Sequence, residues 1–336
     1  MRALRLHEIG GPQNLRSDDV ALPPVGDGEV LVRVHAAALN RRDVFITQGL
    51  YPRIRMPVTL GSDGAGTIAR LGSVVAGLAE GDEVVIDPML AWGDDPRVWD
   101  AATGTILGMP RDGTFAEYVV VPVDNIHPKP AALSMEEAAA IPLAGLTAYR
   151  AVFTRGALQP GETVLITGVG GGVQTFVLLF AKWAGAHAIV TSSSDEKLER
   201  ARALGADLAI NYADNPDWPR LLRSTGPVDL VVDSSGGDTL RNALDVVRPG
   251  GRIVVYGGTR GEATVKLFPL FWKHVSILGT SMGSPQDFAA MLRLFEDGLR
   301  PAIDRVYALD GGVAAFERLA AAHQFGKVVL TIPVSP

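Results

Sequence analysis

At 336 residues, with 47% hydrophobic and 20% charged residues, the chain is long enough and apolar enough to bury two globular cores. A net charge of −6 gives no electrostatic pull toward nucleic acid or an acidic membrane surface. The absence of cysteine excludes disulfides, thiolate nucleophiles and cysteine-ligated zinc, and the six histidines are scattered with no H-x-x-x-H pair, so no metal site is expected.

Residues 1–126 read as a β-rich domain. EVLVRVHAA (29–37) alternates as a half-buried strand does, and 64–71, 82–86 and 114–121 are further short strands between glycine turns. Strands this short and this regularly spaced predict a barrel or sandwich. Residues 88–113 form a polar insertion whose Trp92 and Trp99 suggest a packed lobe. Pro128 and Pro130 punctuate the chain, and Ser134 with Glu137 forms a capping box that starts a helix. The N-terminal MRALRLHEIGG has no apolar signal region and the apolar run 173–184 is too short to span a bilayer, so a cytoplasmic protein is expected.

The segment GETVLITGVGGGVQTFVLLFAK (161–182) reads as a buried strand, a glycine turn at Gly168, Gly170, Gly171 and Gly172, and a helix that continues through Val173. Backbone N–H groups in such a turn, with the positive end of the helix dipole, suit a dinucleotide pyrophosphate. The G-x-G-x-x-G frame falls on Val169, Gly171 and Gln174, so only one of its three positions is glycine. Strands at 187–191, 208–211, 228–232, 252–256 and 275–280 then alternate with helices at 195–204, 217–225 and 238–247. Together with the opening strand they predict an α/β, Rossmann doubly wound parallel sheet. An amphipathic helix at 285–299 and a strand at 328–332 are too little for a third domain. The expected organisation is therefore a catalytic domain over 1–126, a nucleotide-binding domain over 127–283, and a tail over 284–336 that returns to the first.

The motifs AALNRRDVFITQGLY (37–51), LGSDGAGTI (60–68), GDEVV (81–85), GTFAEYVVVP (113–122), AAAIPLAGLTAY (138–149), LGAD (204–207), INY (210–212) and FGKVVL (325–330) lie in order along almost the whole chain. In these the chain resembles the medium-chain dehydrogenase/reductase superfamily, and within it the zinc-free quinone oxidoreductase-like branch. The resemblance implies a GroES-like β-rich catalytic domain beside the Rossmann domain. It places the three catalytic zinc ligands of the zinc enzymes at Asn40, Ser62 and Leu143, none of which is a strong zinc ligand. It also assigns Asn40, Asp43 and Tyr51 to the catalytic cleft, and Thr147, Gly257 and Lys327 to the nicotinamide cofactor. On their residue types alone, Asn40 and Asp43 could instead hold a turn, Tyr51 could be an aromatic wedge beside Pro52, Thr147 could bond back to its own helix, and Lys327 could be a solvated edge charge. Asp63 reads as a structural carboxylate, and no role is assigned to Arg41 or Arg42.

An NAD site wants a carboxylate at the end of the second strand, on the ribose 2′-OH. Thr191, Ser192, Ser193 and Ser194 stand there, followed by Lys197 and, after the third strand, Tyr212. This set suits a 2′-phosphate and predicts NADPH in preference to NADH, although Ser193 with Glu196 also reads as a capping box. The expected activity is metal-free transfer of hydride from NADPH to a quinone or an α,β-unsaturated carbonyl. The alternatives are a zinc-independent alcohol or aldehyde dehydrogenase and a non-catalytic NADPH-binding redox sensor. The edge strand 275–280 resembles the one through which family members pair, so a homodimer is expected.

Overall fold

The computed structural model describes residues 1–333, which cluster into two compact units. The first comprises Met1–Leu146 and the segment from Gly283 onward; the second is Thr147–Met282. Residues 127–146 thus pack with the first unit, later than the proline punctuation at 128–130 suggests. Among the described residues no helix is long and apolar enough to cross a membrane.

The first unit opens with β1 (Arg2–Leu6), β2 (Leu15–Asp19), β3 (Glu29–Ala38), α1 (Arg41–Thr47), β4 (Val58–Thr59), β5 (Asp63–Leu71) and β6 (Glu83–Ile86). It continues through β7 (Met89–Leu90), β8 (Thr105–Ile106), β9 (Tyr118–Pro122), β10 (Ile126–Pro128) and α2 (Met135–Ala140). Helix α3 (Pro142–Tyr149) follows. The second unit carries β11 (Thr163–Ile166), α4 (Gly172–Trp183), β12 (His187–Ser192), α5 (Asp195–Ala203), β13 (Leu208–Asn211) and α6 (Trp218–Thr225). After these come β14 (Val228–Asp233), α7 (Gly237–Val246), β15 (Val247–Val255), α8 (Leu267–Trp272) and β16 (Ser276–Gly279). The chain then rejoins the first unit with α9 (Pro285–Glu296), β17 (Ile303–Ala308), α10 (Gly312–Ala320) and β18 (Lys327–Thr331).

In the first unit, the alternation of β3 buries Val30, Val32 and Val34 in a core shared with Leu6, Leu60, Phe115, Phe316 and Leu330. The main sheet runs β10-β6-β5-β3-β18-β17, with β9 also paired to β3. Gly66 lets β5 close on β3, because a Cβ there would lie 1.9 Å from the Arg33 carbonyl oxygen. The strand expected over 114–121 begins only at Tyr118: residues 113–115 instead bond across to 59–61, through Gly113 N–H to Thr59 O, Thr114 N–H to Gly61 O and Phe115 N–H to Leu60 O. The Ser134–Glu137 capping box is present, with the Glu137 N–H on Ser134 Oγ at 3.2 Å and the Ser134 N–H on Glu137 Oε2 at 2.9 Å.

In the second unit the six strands are parallel in the order β13-β12-β11-β14-β15-β16. All six residues of β14 are buried, as a parallel strand covered on both faces requires. The unit is a Rossmann doubly wound sheet whose order reverses between β11 and β14.

One buried carboxylate in the first unit is a pH-dependent weak point. Asp87 is 1% exposed and, among the described residues, its carboxylate accepts only the Met89 N–H, at 2.9 Å. Burial pushes its pKa from the ordinary 3.8 to about 8. The folded state therefore binds a proton across that window that the unfolded state has released, and stability falls as pH rises. Urea unfolding should show the wild type losing on the order of a few kcal/mol between about pH 4 and about pH 8. Asp87→Asn should remove most of the slope above about pH 6, where the other buried carboxylate of this unit with a raised pKa, Asp43 at about 6, has already ionised. A slope there unchanged by the substitution would mean Asp87 does not titrate in that range.

Candidate active site

Three side chains distant in sequence meet where β3 ends. The register sets Ala38 opposite Asp63 of β5 on one side and Val329 of β18 on the other. Asn40 lies two residues past Ala38, Asp63 is the first residue of β5, and Lys327 is the first residue of β18. Lys327, 2% exposed, donates from Nζ to Asn40 Oδ1 at 2.7 Å and to Asp63 Oδ2 at 2.8 Å. Asn40 Nδ2 donates to the same Asp63 Oδ2 at 2.9 Å, and the Leu143 N–H donates to Asp63 Oδ1 at 2.8 Å.

This set fixes the Asn40 amide. An ammonium can only donate and a carboxylate can only accept, so the amide oxygen must face Lys327 and the nitrogen must face Asp63. One hydrogen of Asn40 Nδ2 is left for an acceptor outside the set. Lys327 is thus part of the Asn40 cluster and is not a solvated edge charge. Asp63, fully buried, is the hub that holds it.

The helix after Asn40 carries a second cation. Asp43 accepts the Asn40 N–H on Oδ2 at 2.7 Å and so caps α1. Its carboxyl is closed off from solvent, and burial pushes its pKa up to about 6 against the lowering field of Arg42. Asp43 therefore holds the turn that presents Asn40. Arg42, 8% exposed, donates from Nη1 to Ser62 Oγ at 2.6 Å and to the Leu107 carbonyl at 2.9 Å. Its guanidinium lies 5.0 Å from the centre of the Tyr51 ring, a cation–π contact that holds the half-buried Tyr51 against the core. Sequence gave no reason to separate Arg42 from Arg41; only the phase of α1 turns residue 42 inward.

The second unit holds a different kind of site. No side chain caps α4, whose N-cap is Gly171, so its first N–H groups are available to an anion. Gly170 has φ +125°, and a Cβ there would lie 2.7 Å from Lys197 Cδ, so this glycine lets the lysine stem cross the turn. Gly172 and Val173 form the first turn of α4. Gln174 occupies the third fingerprint position: its Oε1 lies over Gly171, while Nε2 donates to Ser234 Oγ at 2.6 Å. The replacement thus ties the helix to the loop after β14.

At the C-terminal ends of β11 and β14 lies a cavity of about 340 Å³, lined by Thr167, Gly168, Thr191, Tyr212, Ser235 and Arg260 among others. This is the switch-point crevice where Rossmann folds bind ligands. Ser192 is buried, with Oγ accepting the Ser194 N–H at 3.2 Å, and Ser193 is exposed. The cap of α5 is Ser194, which accepts the Lys197 N–H at 3.4 Å; the box expected from Ser193 and Glu196 is shifted by one residue and leaves the Ser193 hydroxyl outside the cap. Thr147 is buried in α3. Gly257 packs under the loop after β14, where a Cβ would lie 2.7 Å from the Ser234 carbonyl. The glycine turn, the uncapped helix and a β12 end without a carboxylate fit a dinucleotide. Arg260, which lines the crevice, was not singled out from sequence because it belongs to no motif.

Residues 26–131 match the family described as alcohol dehydrogenase GroES-like domain, and residues 172–297 match the zinc-binding dehydrogenase family. A zinc-type alcohol dehydrogenase-like protein of Schizosaccharomyces pombe is 38% identical over 97% of each chain. The chain belongs to the medium-chain dehydrogenase/reductase superfamily. It is an oxidoreductase of that superfamily, and a quinone oxidoreductase of Mus musculus is 30% identical over 99% of this chain and 98% of its own. The crystal structure of an NAD-dependent alcohol dehydrogenase superposes with a TM-score of 0.93 at 40% identity, covering 99% of this chain and 100% of that one.

Zinc is a cofactor of many medium-chain dehydrogenases, but the donors present here do not fit it. Of the three ligand positions, Asn40 accepts from the Lys327 ammonium, Ser62 accepts from the Arg42 guanidinium, and Leu143 is apolar. A divalent cation would meet two fixed positive charges and no thiolate or imidazole. Among the described residues no group of three or more His, Cys, Asp or Glu side chains is placed to hold a metal.

Removing one member of a buried ion pair strands the other in low dielectric. Lys327→Met should therefore lower stability by about 3–5 kcal/mol, read from thermal unfolding, and adding Asp63→Asn should restore most of the loss. A single variant as stable as the parent would show that the pair is not buried as a charge pair.

Proposed function

We propose that this medium-chain reductase transfers hydride from NADPH to a quinone or an α,β-unsaturated carbonyl without a metal, as in the zinc-free quinone oxidoreductase-like branch. The observation that carries this is the Asn40 amide, oriented by Lys327 and Asp63 so that one N–H remains for an acceptor oxygen. When bound, the reduced nicotinamide supplies the hydride. Gly170, Gly171, Gly172 and Val173 would hold the pyrophosphate, Thr147 and Gly257 the nicotinamide end, and Ser192, Ser193, Lys197 and Tyr212 the 2′-phosphate end.

Reduction adds one hydride and one proton to the acceptor. Asn40 holds the acceptor oxygen and stabilises the negative charge that develops there, the task a Lewis acid performs in the zinc enzymes. Tyr51, fixed by Arg42, gives the proton from its hydroxyl, and solvent restores it. Asp43 and Asp63 hold these groups in place. The protein pairs with a second copy through β16, an edge strand bonded only to β15 among the described residues. Light scattering should then give twice the chain mass.

The names of the relatives favour a second reading, oxidation of an alcohol with NAD. The donor set at Asn40, Ser62 and Leu143 weighs against it, because alkoxide formation without a metal is the harder chemistry.

Cofactor consumption across a panel of quinones, enones and simple alcohols, with NADPH and NADH in parallel, separates the readings. Quinones or enones with NADPH should be the fastest pairs. Asn40→Ala and Tyr51→Phe should each lower kcat about 10²-fold or more while leaving the NADPH Kd unchanged. Parent-level turnover in both variants, or steady alcohol oxidation by the parent, would overturn the proposal.

A further inference from the structure

The loop after β15 carries a cation across the nucleotide crevice. Thr259 and Arg260 donate their N–H groups to the carbonyls of Ser234 and Ser235 at 3.4 and 2.8 Å, which docks the loop on the end of β14. Gly236 and Gly237 make room for it: a Cβ on the first would lie 2.9 Å from the Gly261 oxygen, and one on the second 3.2 Å from the Arg260 oxygen. From there the Arg260 side chain reaches Tyr212, its guanidinium carbon 5.7 Å from the ring centre. Tyr212 follows β13 and Arg260 follows β15, which the sheet order holds four strand positions apart, yet both line one cavity.

The guanidinium has no carboxylate partner among the described residues. The other charged groups lining the crevice, Asp238 and Arg241, pair with each other at 3.0 Å. Arg260 is exposed, so an incoming ligand can reach it. A guanidinium resting over an aromatic ring at this distance still has N–H groups free for a bidentate phosphate contact, which an ammonium cannot make.

We propose that Arg260, held on Tyr212, is the residue that reads the 2′-phosphate of the cofactor and so sets the choice of NADPH over NADH. This rests on the NADPH assignment of the same crevice and adds the residue that enforces it. Lys197, whose stem crosses the glycine turn at Gly170, adds charge to the same 2′-phosphate end.

Isothermal titration of the full-length protein with 2′,5′-ADP and with 5′-AMP tests the assignment. The wild type should bind 2′,5′-ADP at least about tenfold more tightly than 5′-AMP, as charge-assisted hydrogen bonds to one phosphate imply. Arg260→Gln should abolish that ratio by weakening 2′,5′-ADP alone, and Arg260→Glu should invert it. A wild-type preference that survives Arg260→Gln would overturn the role of Arg260 and leave the NADPH assignment standing. No wild-type preference would overturn both.

Discussion

The buried contact between Lys327 and Asp63 is the constraint on which the catalytic unit turns. Two opposite charges out of water are expensive unless each is fully hydrogen-bonded, and here the bonds that satisfy them also orient Asn40. The carboxylate spends its second oxygen on the Leu143 N–H, so the β5 hub ties together the end of β3, the start of β18 and the start of α3. A stretch of chain separated from Asn40 by most of the sequence thus decides which way one amide points.

The same arrangement makes this cluster a poor fit for the zinc with which the fold is associated. Two organic cations sit against two of the three ligand positions, each supported by its own acceptors. Lys327 binds the Asn40 amide oxygen, and Arg42 binds Ser62 while stacking on Tyr51. They provide fixed positive potential in a water-poor setting, which is the electrostatic part of what a metal supplies. They cannot supply its open coordination position. The reduction proposed for this protein draws on positioning, hydrogen bonding and proton donation, which suits acceptors that are already activated.

The nucleotide unit departs from its usual fingerprint without losing the function of the turn. Val169 and Gln174 replace glycines, yet the helix start stays uncapped and Gly170 keeps the open conformation that Lys197 needs. Gln174 uses its amide to bind the neighbouring loop at Ser234. That loop in turn supports the segment carrying Arg260.

Hydrophobic periodicity and glycine placement determined the two-part α/β architecture, because a parallel strand buried on both faces and a glycine turn leave local signatures. The absence of cysteine and the residues at 40, 62 and 143 likewise determined that a thiolate–imidazole zinc site could not form. Asn40 and Tyr51 were visible as candidates, and the missing carboxylate at 191–194 was visible as the ground for proposing NADPH. Only the tertiary structure decided what Lys327, Arg42 and Arg260 touch. A lone lysine before a strand, one of two adjacent arginines, and an arginine in a glycine-rich loop carry no local pattern. Strand register, helix phase and the docking of one loop on another brought them to Asn40, Ser62 and Tyr212, and such long-range pairings are fixed by packing and not by neighbouring residues.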